Sequence, residues 1–347
     1  MKTIRIIVCG FGNVGRAFVR LIEDKQEDLK NRYGIVPAIQ AVVDIGGAAV
    51  ADDQGLPLAL LREFADKGQA IESMASFGRP GVAGVDVLQS TTADVLVEAT
   101  PTNLVDGEPA RTHINGAIEK GMDVITANKG PVVLFYKDLQ DRIQSSGGRL
   151  FMSAATAAAL PTLDVGKLCT AGARIQAVEG ILNGTTNYIL TRMGREGCDY
   201  KAALRAAQEL GIAETDPTLD VEGLDTRNKI ILIANQLFDR CLSIADVDTV
   251  GITSVRREDM ENARAEGQVI KLIGSARWEN NRLRVKVAPE ALDEAHPLAG
   301  VHLSEKGISF DTDTMGRITV TGGHSSPTGA AAALLKDLIH ARCLMRL

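Results

Sequence analysis

The densest chemistry in the chain lies in one stretch, residues 214–229, which reads ETDPTLDVEGLDTRNK. Asp216-Pro217 signals a turn and Gly223 a second one, so the stretch is a loop feeding a helix. Asp225 and Lys229 are then spaced i, i+4 and share a face of that helix. The helix continues as Ile230-Ile231-Leu232-Ile233, apolar enough to be buried and so to desolvate Lys229. Desolvation favours the neutral amine, which is the state a lysine needs to take up a proton near neutrality. The same spacing also fits an ordinary surface ion pair worth about 0.3–0.5 kcal/mol, and spacing alone does not choose between the two.

A second constellation is Gly10-Phe11-Gly12-Asn13-Val14-Gly15. It follows an apolar run and opens an amphipathic one, the context a dinucleotide-binding loop requires. Gly10 would permit the tight turn, Gly12 the approach of backbone to a pyrophosphate, and Gly15 close helix–strand packing. The new helix would offer unpaired N–H groups and a positive dipole end to the phosphate. A plain strand–helix turn is the bland alternative. Asp44 follows Ala41-Val42-Val43, where a carboxylate accepts ribose hydroxyls and repels a 2′-phosphate. The next residues are Ile45-Gly46-Gly47 with no Arg, so NAD is expected over NADP. Asp44 lies 29 residues past Gly15, against about 20 in the usual fingerprint. The charged stretch 24–32 accounts for the excess as an elongated helix and loop; otherwise Asp44 merely caps the next segment. Thr100-Pro101-Thr102 ends another strand and is placed near the nicotinamide, unless it is a simple turn.

The elements that must hold these groups follow from periodicity. Residues 4–9 form a near-continuous apolar run, as in a strand buried on both faces. A helix over 16–24 shares Phe18, Leu21 and Ile22 on one face, and strands follow at 39–43, 95–98 and 124–125 with a helix over 108–120. This is βαβ order and implies a Rossmann-type doubly wound parallel sheet. Beyond residue 135 the pattern changes. A polar helix (138–145), a strand (151–156), longer helices (188–195, 200–210, 224–238), a hairpin (277–287) and strands at 308–313 and 318–321 predict a second α/β domain with a mixed, partly antiparallel sheet. The expected division is 1–135, 136–321, and a C-terminal segment 322–347 whose helix over 327–339 packs back on the first domain.

Composition narrows the class. The chain has 347 residues, 45% hydrophobic and 24% charged, with 34 Gly and 11 Pro. That is ample material for two cores and excludes disorder and collagen-like repeats. The net charge of −6 argues against a broad nucleic-acid footprint, and no apolar run is long enough for a membrane span. Five scattered cysteines form neither a disulfide framework nor a zinc pattern. A cytoplasmic protein is expected.

The 214–229 stretch, together with Asn183-Gly184-Thr185-Thr186-Asn187-Tyr188, Thr126-Ala127-Asn128-Lys129 and the glycine loop, closely resembles the homoserine dehydrogenase family along nearly the whole chain. The resemblance implies a Rossmann domain, a substrate and dimerisation domain, and NAD(P)-dependent interconversion of L-homoserine and L-aspartate 4-semialdehyde in threonine and methionine biosynthesis. It implies that Lys129 and Lys229 are the catalytic lysines and that Asp225 supports the second. Glu214 and Asp220 would hold the substrate's amino end, Gly184-Thr185 would contact the substrate, and the protein would be a homodimer. These roles are chemically coherent. A positioned amine can take the hydroxyl proton as hydride leaves the same carbon, and carboxylates suit the ammonium of a small amino-acid substrate.

Two departures stand out. Ser153 occupies the place of a Glu that ligates a monovalent cation in family members, and a hydroxyl is a poor substitute for a carboxylate; no metal requirement is expected. The glycine-rich turn near the C-terminus reads Gly322-Gly323-His324-Ser325-Ser326 instead of Gly-Ala-Gly, so His324 could alter specificity or be a plain loop residue. No regulatory C-terminal domain and no fused kinase are expected. The competing functions are an NAD-dependent dehydrogenase of a related hydroxylated amino acid and a catalytically silent NAD-binding regulator, against which the retained lysines count.

Overall fold

A computed structural model of the chain describes residues 1–51, 54–323 and 325–344. It divides into two compact units, Met1–Ala158 with Ser326–Leu347, and Ala159–Ser325. The expected boundary at 135 is not where this division falls, because β-pairing and helix packing keep the next two dozen residues with the first unit.

The first unit carries strands β1 (Lys2–Cys9), β2 (Ile35–Asp44), β3 (Gly47–Val50), β4 (Gly78–Pro80), β5 (Val95–Glu98), β6 (Asp123–Thr126) and β7 (Leu150–Phe151). They form one sheet in the order β4-β3-β2-β1-β5-β6-β7. Strands β2, β1, β5, β6 and β7 run parallel, while β3 and β4 add an antiparallel edge. Helices α1 (Asn13–Asp24), α2 (Gln26–Tyr33), α3 (Leu58–Lys67), α4 (Gly84–Ser90), α5 (Ala110–Glu119), α6 (Lys129–Leu134), α7 (Tyr136–Ser146) and α8 (Ser153–Ala157) connect them. The extra spacing before Asp44 is α2, a separate charged helix that breaks from α1 at Lys25.

One expected strand is corrected. Over 151–156 only Leu150–Phe151 pairs, with β6, and Ser153–Ala157 is a helix. The alanines of this segment favour helix once the sheet edge is reached. The strand order reverses between β1 and β5, so the carboxyl ends of those two strands form the switch point where open α/β sheets bind ligands.

The second unit holds α9 (Thr162–Asp164), β8 (Ile175–Ile181), α10 (Gly184–Glu196), α11 (Tyr200–Glu209), α12 (Thr218–Val221), α13 (Leu224–Phe238), β9 (Val247–Thr249), α14 (Arg257–Ala265), β10 (Gln268–Glu279), β11 (Arg282–Asp293), β12 (Lys306–Thr312) and β13 (Arg317–Gly322). Its sheet runs β13-β12-β8-β10-β11-β9, antiparallel except for β9 on β11. The hairpin is real and longer than expected: β10 and β11 pair along their full lengths about Asn280-Asn281, both with positive φ. Among the described residues Cys9, Cys169, Cys198 and Cys241 form no disulfide.

The last helix, α15 (Pro327–Ile339), returns to the first unit. Its Leu334, Leu335 and Leu338 share a core with Ile4, Phe18 and Val97. Truncating one such leucine costs about 2–5 kcal/mol.

Candidate active site

At the switch point the three glycines are required for three different reasons. Gly10 has φ +97°, and a Cβ there would lie 2.5 Å from the carbonyl carbon of Ala99. A Cβ on Gly15 would lie 1.9 Å from the Gly10 oxygen, so helix and loop could not close. A Cβ on Gly12 would meet no protein atom within 4 Å; this position faces open space, as a backbone that must approach a ligand does. Gly12 is also the N-cap of α1 and has no side-chain cap, and the first turn carries no acidic residue. The N–H groups there stay available to an anion. Phe11 is buried under the Arg16 guanidinium, Asn13 is exposed and Val14 half-buried. Asp44 ends β2 beside this loop, since Val43 accepts a hydrogen bond from the Gly10 N–H at 2.8 Å. These residues fit a dinucleotide.

The neighbouring loop after β5 is fixed by groups that the sequence did not single out. Glu98 is fully buried; its Oε1 accepts from the Thr100 N–H at 2.8 Å and from the Thr100 hydroxyl, and its Oε2 lies 2.8 Å from His113 Nδ1. Asn128 Nδ2 donates to the carbonyls of Thr100 and Pro101, each at 3.0 Å, while its Oδ1 caps α6 by accepting from Gly130 N–H. The backbone N–H of Lys129 donates to Thr102 Oγ1 at 3.3 Å. A Cβ on Gly130 would fall 2.2 Å from the Asn103 carbonyl oxygen, so glycine is what lets these two loops meet. Lys129 thus stands at the head of α6 on a scaffold that starts at a buried carboxylate. An asparagine one residue before a helix is a readable N-cap signal; nothing local marks Glu98 or His113.

Cys9, Glu98 and His113 offer ligand atoms within 4.8 Å of one another. Burial and the Glu98 carboxylate push the Cys9 thiol well above its ordinary value, which opposes the thiolate a metal would need. Both Glu98 oxygens are already engaged. Ser153 donates its hydroxyl to Asp337 Oδ1 at 2.7 Å and receives the Lys336 ammonium at 2.9 Å. A fixed cation therefore already stands at this hydroxyl. His324 lies outside the described residues.

In the second unit Asn183 caps α10, its Oδ1 accepting from the Thr186 N–H at 2.9 Å. Its Nδ2 donates to Asp220 Oδ1 at 2.6 Å and to Asp225 Oδ2 at 3.0 Å. Lys229 Nζ donates to Asp225 Oδ2 at 2.5 Å and to the Leu182 carbonyl at 2.9 Å. The Lys229 and Asp225 side chains are only 14% and 13% exposed, so the pair is no ordinary surface bridge. Gly223, with φ +76°, turns the chain into α13, whose Ile230 to Ala234 are fully buried.

Gly184 sits where a Cβ would meet the Ser304 carbonyl at 2.8 Å, and the Thr185 hydroxyl donates to the Ile212 carbonyl. Asp220, Asp225 and Lys229 are thus brought together through Asn183. Glu214 is exposed and takes no part in these hydrogen bonds; only its carbonyl accepts, from Gln208. Lys306 was missed entirely: it is 1% exposed, and burial, together with the Lys229 ammonium, pulls it down to about 7 against the opposing pull of Asp225.

Family profiles agree with both halves. The profile described as homoserine dehydrogenase matches residues 161–339, and that described as homoserine dehydrogenase, NAD binding domain, matches residues 10–153. The chain belongs to the homoserine dehydrogenase family. It is 39% identical to the homoserine dehydrogenase of Methanocaldococcus jannaschii, over 96% of this chain and 97% of that one. It is 35% identical to the NAD(+)-dependent homoserine dehydrogenase of Pseudomonas canavaninivorans, over 98% and 96%. The crystal structure of a homoserine dehydrogenase from Thiobacillus denitrificans superposes with a TM-score of 0.86 at 27% identity, covering 100% of this chain and 74% of that one. The chain is accordingly an NAD(P)-dependent oxidoreductase of this family.

Two cavities lie away from these residues. One of about 860 Å³ is lined by Lys167, Arg174, Phe238, Arg240 and Trp278, and another of about 280 Å³ by Lys271, Arg195 and His302. Neither contains a residue of the clusters above. The candidate site therefore rests on the placement of charge and backbone donors, not on the size of a hollow.

Proposed function

We propose that the chain interconverts L-homoserine and L-aspartate 4-semialdehyde with NAD as the preferred coenzyme, and that Lys229 exchanges the proton of the reacting oxygen. The observation that carries this reading is the buried Asn183–Asp220–Asp225–Lys229 cluster. A bound nicotinamide supplies the hydride acceptor in the oxidative direction. Lys229, aimed by Asp225 and the Leu182 carbonyl, takes the hydroxyl proton as the carbonyl forms; in reverse its ammonium protonates the alkoxide. Lys129, at the head of α6, is the second lysine that this reading assigns to catalysis. Asp220 and Glu214 pair with the substrate ammonium, and Gly184-Thr185 contact the substrate.

The residues of the Gly10–Gly15 loop hold the pyrophosphate through backbone N–H groups, Asp44 accepts the ribose hydroxyls, and Thr100-Pro101 border the nicotinamide. Asp44 at the end of β2 supports NAD over NADP, since a carboxylate there repels a 2′-phosphate. The Lys336 ammonium on the Ser153 hydroxyl supports turnover without an added monovalent cation. We further assign a homodimer located in the cytoplasm, with a role in threonine and methionine biosynthesis. No described helix is long and apolar enough to cross a membrane.

The test follows nicotinamide absorbance with purified protein, L-homoserine and either coenzyme, without alkali-metal salt. Turnover with NAD that vanishes in Lys229→Ala while NAD still binds is the expected result. Binding of NAD without turnover on L-homoserine would overturn the substrate assignment in favour of another hydroxylated amino acid.

A further inference from the structure

The cavity of about 280 Å³ is built entirely from the second unit. Its charged lining is Arg195 of α10, Arg264 of α14, Lys271 of β10, Glu294 just after β11, and His302 in the loop before β12. Lys271 is 2% exposed. Its Nζ donates to Asn187 Oδ1 at 3.0 Å, to the Val301 carbonyl at 2.5 Å and to the Thr191 hydroxyl at 3.5 Å. All three acceptors are neutral, whereas a buried charge is ordinarily paired with an opposite one. Burial pulls this amine down to about 8 and Arg195 pushes the same way, while Glu305 draws it up without forming an ion pair. Arg195 and Arg264 are exposed, and among the described residues neither guanidinium donates a hydrogen bond or forms an ion pair. Their neighbours on the same two helices do: Arg192 holds Glu196 and Arg257 holds Glu261. Glu294 is exposed and pairs with none of the three cations. His302 Nδ1 is buried without a hydrogen-bond partner among the described residues.

We propose that this cavity binds a small anion with several oxygens, a phosphate group or a short dicarboxylate, between the Arg195 and Arg264 guanidinium groups and beside Lys271. What carries the inference is the meeting, in one hollow, of a buried ammonium that touches only neutral acceptors and two guanidinium groups left without a carboxylate. A guanidinium presents parallel N–H donors that match two oxygens of a carboxylate or phosphate. Two such forks facing one space suit an anion with oxygens at more than one end or corner. The same anion would give Lys271 the opposite charge that its hydrogen bonds do not supply. In a chain of net charge −6, a lining of three basic side chains against one carboxylate reverses the local sign. The volume is at the small end of ligand pockets, which suits a small ligand. Leu190 and Arg195, both in the lining, lie about 10 and 18 Å along α10 from Asn183. The cavity is thus separate from the Asn183–Asp220–Asp225–Lys229 cluster.

The experiment titrates the full chain by calorimetry with inorganic phosphate and, separately, with succinate, at constant ionic strength, with and without saturating NAD. Melting temperatures are recorded alongside. One anion per chain is expected to bind whether or not NAD is present, and the melting temperature should rise with anion concentration. Arg195→Gln and Arg264→Gln should each weaken that binding about tenfold, while melting like the parent before any anion is added. Lys271 is left in place because its hydrogen bonds tie β10 and α10 to the loop before β12, and its removal would confuse lost binding with lost fold. Binding of phosphate alone assigns the cavity to phosphate groups, binding of succinate alone assigns it to dicarboxylates, and binding of both extends it to either. No saturable binding of either anion, or binding that either variant keeps at parent strength, would overturn the proposal. So would lower melting of both variants without anion, which would make the two arginines struts. Binding that NAD abolishes would also overturn it and place the anion on the Gly10–Gly15 loop.

Discussion

The nucleotide end of the first unit and the lysine cluster of the second solve recognition in opposite ways. The first is made of backbone. Its requirement is that side chains be absent, at Gly10, Gly12 and Gly15, so that N–H groups of α1 face a ligand. The second is made of charged side chains held out of water, with Asn183 capping α10, Asp220 from α12, Asp225 and Lys229 from α13, and Lys306 from the start of β12. A backbone site fails when something is added; a charge cluster fails when something is taken away and its partner is left buried.

That contrast can be broken at several points. The largest effect is expected from Lys229→Ala, which should lower kcat by about 10²–10⁴ while NAD affinity, read by fluorescence titration, stays unchanged. Adding atoms to the nucleotide end should do the reverse. Gly10→Ala places a Cβ against Ala99 at positive φ and should cost about 1–3 kcal/mol of stability as well as coenzyme binding. Gly12→Ala, with open space around it, should melt like the parent and lose coenzyme affinity alone. Equal melting losses in the two alanine variants would refute the division of labour between them.

Smaller effects follow within the first unit, where Glu98 brings a charge-cluster element to a backbone site. Glu98→Gln keeps an acceptor for Thr100 but loses the charge beside His113. It should cost about 1–3 kcal/mol in denaturant unfolding and raise the KM for NAD more than it lowers kcat. The smallest change is expected from Asp44→Ala, which should shrink the proposed preference for NAD over NADP about tenfold, or 1.4 kcal/mol. An unaltered ratio of kcat/KM for the two coenzymes would remove Asp44 from that role.

Legibility in the sequence followed the same contrast. The glycine loop could be read because its parts are consecutive and each glycine answers a local steric demand. Asp225 and Lys229 could be read because a helix brings i and i+4 together, yet their burial, and hence the choice against a surface pair, depended on the 14% and 13% exposure found in the fold. The segment 151–156 was misjudged because an apolar stretch beside a strand looks alike whether it pairs or coils. Only the end of β6, where partners run out, decides for a helix at Ser153. Glu98 and His113 are 15 residues apart on a strand and a helix with no shared pattern, so nothing local announced their hydrogen bond.

Periodicity and turn chemistry by themselves therefore determined the parallel sheet of the first unit, the mixed sheet of the second and the hairpin at Asn280-Asn281, and marked the candidates for phosphate and proton chemistry. Tertiary structure alone decided which charges face each other. The register of β12 on β8 sets Lys306 opposite Leu182, and the Leu182 carbonyl in turn holds Lys229, a residue 77 positions earlier in the chain than Lys306. The reason is physical: steric and periodic demands act between neighbours along the chain, whereas the energy of a buried charge depends on everything within a few ångströms, and only the folded sheet brings those groups together.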